Sequence, residues 1–335
     1  MVGLMQNVFN FYTLSLVIMT VFAIAMYLMH TFRRKQLMGL LPLIAAIITA
    51  FLLYNVIGTQ GAGYYNLLLI DICIAAISSV IAVLYVSKSY VFIPLMLLLI
   101  AGFILYVADY PGNFAFAGMF AVGTIYGILY REFVIGSRRE RRRRSITEKR
   151  TELNRDYIQI LLGIVLVAVL LAFSTIDARS IIFALIIIGY TAINLVANLR
   201  LSPSHRKTLD LERRDVEYGR GAAYLAASTA LVVGFTSSYG MLFFGLVALF
   251  FADSLATIFG LSAHGAAPLP YNRNKTFTGT LTFLIVAAIA GYLLIGPYGL
   301  LYALILAFVE GLSLSLDDNV RTGILVVLLG SLVKV

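Results

Sequence analysis

Three acidic residues lie inside apolar runs long enough to form membrane helices: Asp71, Asp253 and Glu310. A charge at the centre of a bilayer costs about 2.5–3.5 kcal/mol, so an acid in such a run indicates a function. Asp71 has no polar motif around it and is typical of a hydrated or internally paired structural acid. Asp253 begins the segment DSLATIFG, which places Ala256 and Gly260 on its own helix face. Small residues on that face favour the close approach of another backbone or of a ligand.

A polar, proline-containing connection, residues 261–279, directly precedes an apolar run. Cationic side chains, hydroxyls and free backbone N–H groups at a helix N-terminus are suited to binding a polyphosphate. The glycine spacing of a Walker A loop is absent before the lysine. The sequence therefore predicts a phosphate site of another kind, formed by Asn272, Arg273, Lys275, Thr276 and Gly279.

A second polar group follows Glu310 in the segment EGLSLSLDDN. Glu310 and Asp317 are seven residues apart, which is close to two helical turns or about 10 Å, so both can face one site. Asp318 and Asn319 follow at the end of the helix. Mg²⁺ prefers oxygen ligands and usually keeps several waters. These four residues are therefore the predicted metal ligands.

The composition places these segments in a membrane. Of the 335 residues, 61% are hydrophobic and 12% are charged, whereas soluble domains have about 45–50% apolar and about 25% charged residues. No apolar run alternates with the period of two of a membrane β-barrel. The predicted fold class is all-α, a polytopic bundle of about twelve transmembrane helices. The predicted helices are residues 8–29, 38–57, 66–86, 91–107, 114–130, 157–173, 180–199, 221–235, 239–260, 280–295, 299–316 and 322–335.

Basic residues predict the orientation of the bundle. Six connections hold 23 of the 25 Lys and Arg residues, and such loops stay on the cytoplasmic side. With twelve spans, this pattern puts both termini outside and every charged loop, with the candidate site, in the cytoplasm. The net charge of +9 is thus a topology signal, and no nucleic-acid partner is expected.

The densest basic stretch, Arg138–Arg144, lies in the linker 131–156. It is expected to face anionic lipid, or to dock an anionic soluble partner. The linker divides the chain into an N-terminal bundle of about five helices, residues 1–130, and a catalytic membrane domain of about seven helices, residues 157–335. Cys73, the single cysteine, is expected to be a small buried hydrophobe.

Three spaced motifs resemble those of the dolichol kinase and phytol kinase family of polyprenol kinases. They are D-x-x-A-x-x-x-G at 253–260, K-T-x-x-G at 275–279 and E-x₇-D-N at 310–319. The segment YGRGAAY at 218–224 is also similar to a stretch that precedes a span in many members. The resemblance covers roughly residues 212–322. Three positions depart from the family pattern: Ala252, Leu261 and Thr278.

The resemblance implies a multi-pass enzyme that transfers the γ-phosphate of CTP to a membrane isoprenoid alcohol, with Mg²⁺ as cofactor. Lys275, assisted by Arg273 and Thr276, is expected to hold the triphosphate. Glu310, Asp318 and Asn319 match family positions at the nucleotide and metal site. The implied catalytic residues are Asp253, Lys275 and Glu310, and Asp253 is either the general base or a second metal contact.

Other functions remain open at this point. The CDP-diacylglycerol synthases share D-x-x-A and K-T-x-x-G elements, but their C-terminal GD-x-x-S-x-x-KR signature is missing here. A diacylglycerol kinase uses the same chemistry on another alcohol. A transporter or flippase for an anionic lipid would use the intramembrane acids as ion sites, and a structural membrane protein would tolerate loss of Lys275. The sequence does not choose among dolichol, polyprenol, geranylgeraniol and phytol as acceptor.

Overall fold

A computed structural model of the chain describes residues 71, 73–82, 92–109, 112–130, 146–198, 220–236, 238–263, 267–313 and 316–332. The predicted helices at 8–29 and 38–57 lie outside the described residues. So do the arginine run Arg138–Arg144, most of the basic connection 200–220, and the side chains of Arg273 and Asn274.

The described residues are mostly helical, as the apolar runs predict. Most of the helices agree with the predicted runs to within a few residues. They are α1 Cys73–Ala82, α2 Phe92–Asp109, α3 Ala115–Tyr130, α4 Ile146–Ala172, α5 Thr175–Asn198, α6 Arg220–Phe235, α7 Tyr239–Val247, α8 Asp253–Ser262, α9 Phe277–Ile295, α10 Pro297–Gly311 and α11 Asp318–Leu332.

Four helical stretches are long and apolar enough to cross a membrane: Glu152–Ala172, Thr175–Leu195, Tyr239–Ser262 and Phe277–Ile295. Shorter apolar helices accompany them in the described part of the chain. These stretches indicate a helical membrane protein. The third of them contains α7 and α8, which are joined by a π-helical turn, Ala248–Ala252.

Three elements differ from the sequence-based expectation. Helix α10 ends at Gly311 because the backbone is extended at Leu312, so Glu310 and Asp317 do not lie two turns apart on one helix, as their spacing predicted. Helix α4 begins at Ile146, inside the predicted linker, and continues unbroken into the apolar run. The connection 261–279 contains a small antiparallel hairpin, β1 Pro268–Leu269 and β2 Asn272–Thr276. In addition, Cys73 is exposed, because its helix directs it away from the described core.

Helix α6 is the centre of the bundle. It is rich in small residues, most of it is buried, and it packs against α3, α5 and α11. Arg179 of α5 is also buried and donates to the Val233 carbonyl at 2.9 Å. This cation therefore provides a hydrogen-bond donor for a carbonyl group in the last turn of α6. Asp71 is buried as well, and neither of its carboxylate oxygens has a hydrogen-bond partner among the described residues.

Helices α9 and α10 form an antiparallel pair that supports the candidate site. Gly291 and Gly299 face each other with their backbones in contact, leaving no room for a Cβ atom. Gly296 turns the chain between them at a φ of +81°, which favours glycine, and Pro297 begins α10. The pair therefore brings the start of α9 and the end of α10 to the same end of the bundle.

Candidate functional site

The K-T-x-x-G motif forms the junction between the hairpin and α9. Thr276 is the N-cap of α9, and its hydroxyl accepts a hydrogen bond from Gly279 N at 3.1 Å. Phe277 N donates to Ala267 O at 3.0 Å, which fixes the hairpin on the helix. The buried Asn272 donates Nδ2 to Gly311 O at 3.0 Å. These bonds attach the predicted phosphate segment to the end of α10, beside Glu310.

The small residues of the D-x-x-A-x-x-x-G motif face the K-T-x-x-G motif. A Cβ atom on Gly260 would lie 2.7 Å from Thr276 Oγ1, and one on Gly279 would lie 2.9 Å from the Ala256 carbonyl oxygen. The prediction that a backbone or a ligand approaches this face is confirmed, and the partner is the start of α9. The two motifs thus touch, although Asp253 and Lys275 are 22 residues apart.

Two glycine-to-alanine variants, one at the contact and one away from it, test this packing. Gly189 of α5 is exposed and a Cβ atom there meets nothing within 4 Å, so Gly189→Ala is expected to stabilise by about 0.5–1 kcal/mol. Gly260→Ala is expected to destabilise by about 1–3 kcal/mol, because Thr276 must move. Thermal unfolding in detergent compares the two variants. An equal rise in Tm for both would contradict the packing.

Lys275 joins the second and third motifs. Its ammonium forms ion pairs with Glu310 Oε1 and with Asp318 Oδ2, the latter at 2.7 Å. The Glu310 side chain is only 3% exposed, and its other oxygen accepts from Thr280 Oγ1 at 3.4 Å. The structure therefore places one partly exposed lysine between two carboxylates that come from different helices.

Arg321 was predicted only as one of the basic residues of a cytoplasmic loop. Its guanidinium donates to the Val309 carbonyl at 2.8 Å and to the Leu312 carbonyl at 3.0 Å. It also forms an ion pair with Asp318 Oδ1. Arg321 is 6% exposed. It thus connects the end of α10 to the start of α11 and fixes the spacing between Glu310 and Asp318.

The predicted ligands Asp317 and Asn319 form the start of α11. Asp317 Oδ1 accepts from Asn319 N at 3.0 Å, which is the turn expected of an aspartate before a helix. Burial raises the pKa of the Asp317 carboxyl, and the nearby Asp253 carboxylate raises this pKa further. The Asn319 backbone N–H, Arg155 and Arg220 lower it. Arg220, from the YGRGAAY segment, therefore also lies near the site.

Asp253 begins α8, directly after the π-helical turn. It is half-buried, and Lys275, Glu310 and Arg155 all lie within electrostatic range of its carboxylate. The predicted catalytic residues Asp253, Lys275 and Glu310 are therefore in one place. The sequence-based grouping of the three motifs into one site agrees with this geometry.

Helix α4 adds a face of the site that the sequence analysis missed. Arg155, Asp156 and Gln159 lie where α4 passes α8. Asp156 is fully buried, with Oδ1 accepting from Arg155 Nη2 at 3.2 Å and Oδ2 left without a partner among the described residues. Asp253 and Lys275 lie within electrostatic range of Asp156. In the sequence, this face of the site is indicated only by three polar residues within about one helical turn at the start of an apolar run.

Part of the chain is similar to a known protein. The chain is similar over 113 residues to an uncharacterized protein of Methanocaldococcus jannaschii, with 37% identity. The match covers 33% of this chain and 58% of that protein. No protein-family model matches the chain, and no solved structure matches it. The description of the relative names neither a reaction nor a ligand.

Proposed function

We propose that this protein is a lipid kinase that transfers the γ-phosphate of CTP to a membrane isoprenoid alcohol, giving the prenyl monophosphate and CDP. The active site faces the cytoplasm at the ends of about twelve transmembrane helices, and both termini lie outside. The acceptor alcohol lies in the bilayer with its hydroxyl at the site. The arginine run Arg138–Arg144 contacts anionic lipid at the same membrane surface.

The observation that carries this proposal is the position of Lys275. Three motifs that are far apart in the sequence meet there, and the lysine lies between Glu310 and Asp318. A lysine with two acidic partners and partial exposure is suited to exchange one partner for a phosphate. The N-terminus of α9, with Thr276 and Gly279, adds the positive end of a helix dipole.

The donor groups at the site fit Mg²⁺. Glu310 and Asp318 are close enough to share one cation, since both contact the same ammonium. Asn319 Oδ1 is buried and has no partner among the described residues, so one uncharged oxygen is free. No group of three His, Cys, Asp or Glu residues in the described ranges can hold a metal ion. These two carboxylates and one amide oxygen would therefore hold Mg²⁺ together with oxygen ligands from outside the protein.

When bound, Mg²⁺ would neutralise charge on the β- and γ-phosphates. Glu310, Asp318 and Asn319 would hold it, with Asp317 supporting the turn that carries them. Lys275 would exchange its carboxylate partners for the triphosphate, together with Arg273 and Thr276, beside the positive end of the α9 dipole at Gly279. Asn272 keeps this segment attached to the end of α10.

The proton of the acceptor hydroxyl goes to Asp253. As the alcohol oxygen bonds to the γ-phosphorus, the bond from that phosphorus to the β–γ bridging oxygen breaks, and CDP leaves with the electron pair. Two observations support this role: Asp253 is half-buried at the start of α8, and its carboxylate is within electrostatic range of Lys275. Positioning and charge neutralisation supply most of the catalysis in phosphoryl transfer.

Label transfer tests this proposal. The purified protein in detergent with Mg²⁺ is given CTP labelled on either the γ- or the α-phosphate, and ATP, GTP and UTP for comparison. The acceptors are dolichol, a shorter polyprenol, geranylgeraniol, phytol and diacylglycerol.

Label from γ-CTP on a prenyl monophosphate, with none from α-CTP, is the expected result. Label from α-CTP on the lipid would instead indicate cytidylyl transfer, and a labelled phosphatidic acid would indicate a diacylglycerol kinase. No transfer from any donor by folded protein would overturn the kinase proposal and make ion-coupled flux of an anionic lipid the next measurement.

A further inference from the structure

We infer that Gln159 of α4 is a positioning residue for Asp253, acting through the π-helical turn that joins α7 to α8. The inference rests on the proposed function only in giving Asp253 a chemical role. The contact itself is a feature of the fold and can be measured without turnover.

The π-helical turn changes the backbone pairing directly before Asp253. In a regular α-helix, Asp253 N would donate to Leu249 O, four residues back. Here it donates to Ala248 O, five residues back, which leaves Leu249 O without that partner. Gln159 Nε2 donates to Leu249 O at 2.7 Å. A side chain from α4 therefore takes the place of the amide that the turn removes.

The same amide also lies near the Asp253 side chain. Gln159 Nε2 donates to Leu249 O, and the Gln159 side chain is within electrostatic range of the Asp253 carboxylate. Gln159 is 5% exposed, so water does not compete for its bond to Leu249 O. The amide thus fixes the backbone directly before Asp253 and, through that backbone, the position of the carboxylate.

Close packing keeps Gln159 against the turn. One helical turn beyond it on α4, a Cβ atom on Gly163 would lie 2.6 Å from Phe250 Cβ and 2.9 Å from Phe251 Cε2. The helix backbone therefore lies directly on the π-helical segment. π-bulges occur frequently at functional sites. Here the turn is stabilised by a hydrogen bond from another helix, which the Gln159 side chain donates.

Two substitutions separate positioning from simple stability. Gln159→Met keeps the size of the side chain but removes both donors, and Gln159→Glu keeps the shape but cannot donate to Leu249 O when ionised. Asn194→Leu is the matched control. Asn194 is a buried amide of α5 that donates to the Tyr190 carbonyl at 2.8 Å.

For Gln159→Met we expect kcat to fall about 100-fold with KM for CTP within about threefold, because a shift of about 1 Å in a catalytic group has this effect. We also expect faster hydrogen exchange of the backbone amides from Phe250 to Ser254. Asn194→Leu is expected to lower Tm without either change. Equal kcat in the wild type and Gln159→Met would overturn the positioning role.

The exchange measurement keeps this inference separate from the kinase proposal. If the wild type transfers no phosphate, faster exchange in Gln159→Met and Gln159→Glu, together with non-additive Tm losses of Gln159→Met and Asp253→Asn, would still support the contact. Unchanged exchange with additive losses would overturn it, whatever reaction the protein catalyses.

Discussion

The variant Lys275→Ala is expected to lower the rate of phosphoryl transfer about 100- to 1,000-fold, which is the usual effect of removing one preorganised donor from a transition state. Lys275 forms ion pairs with both Glu310 and Asp318. Its loss removes the charge that would meet the transferring phosphoryl group. The rate is measured as label transferred from γ-labelled CTP to the acceptor alcohol at saturating Mg²⁺.

Loss of this lysine also affects stability, because it leaves Glu310 buried without its cation. Breaking a buried ion pair on one side costs about 3–5 kcal/mol. The double variant Lys275→Ala with Glu310→Gln removes the uncompensated charge, so it is expected to regain part of the lost Tm and none of the activity. Lys88→Ala is the control, since Lys88 lies in the short predicted loop 87–90. Transfer by Lys275→Ala at the wild-type rate would remove this residue from the mechanism.

Hydropathy predicted most of the helical fold, because a bilayer requires long apolar runs whatever the protein does. The run 239–260 is observed as Tyr239–Ser262, and the run 280–295 as Phe277–Ile295. Hydropathy gave no sign of the π-helical turn between α7 and α8. Such a turn changes which carbonyl each amide meets, and Leu249 and Phe250 have the same apolar character in either arrangement.

The hairpin was missed for a different reason. Its longer strand, Asn272–Thr276, is a run of polar residues without alternation, so it lacks the apolar face by which a strand is recognised from sequence. Its position depends on contacts that are distant in the sequence, such as Asn272 with the Gly311 carbonyl. A segment that is stabilised by such distant contacts is predicted to be a loop when only the local sequence is considered.

The candidate site was predicted from its motifs but not in full. The positive-inside rule predicts cytoplasmic loops for Arg155, Arg220 and Arg321, because they are basic. In the structure, each of the three lies beside an acid of the site or within electrostatic range of one. A cytoplasmic cation and a site cation have the same sequence signal, since both lie next to the end of an apolar helix. Only the packing of α4, α6 and α11 separates the two roles.

The second large effect is expected from Asp253→Asn, which removes the carboxylate but keeps the shape of the side chain. A positioned general base contributes about 100- to 10,000-fold to a rate, and we expect a loss in this range. The protein is expected to insert and fold, because asparagine fits the same space beside Gln159 and Leu249. Label transfer and Tm, measured on the same preparation, check both parts.

The dependence of the remaining rate on Mg²⁺ separates the two roles of Asp253. If Asp253 is the base, Asp253→Asn lowers kcat and leaves the Mg²⁺ concentration for half-maximal rate unchanged. If it is a metal contact, that concentration rises, because one ligand of the cation is lost. Asp177→Asn is the control: Asp177 lies in the first turn of α5, where its carboxylate accepts from the Ser174 hydroxyl at 2.6 Å. Near-normal turnover in Asp253→Asn would exclude both roles. Another base would then have to take the proton of the alcohol. The candidate on α4 is Asp156, whose buried carboxylate has one oxygen without a partner among the described residues and lies within electrostatic range of Asp253.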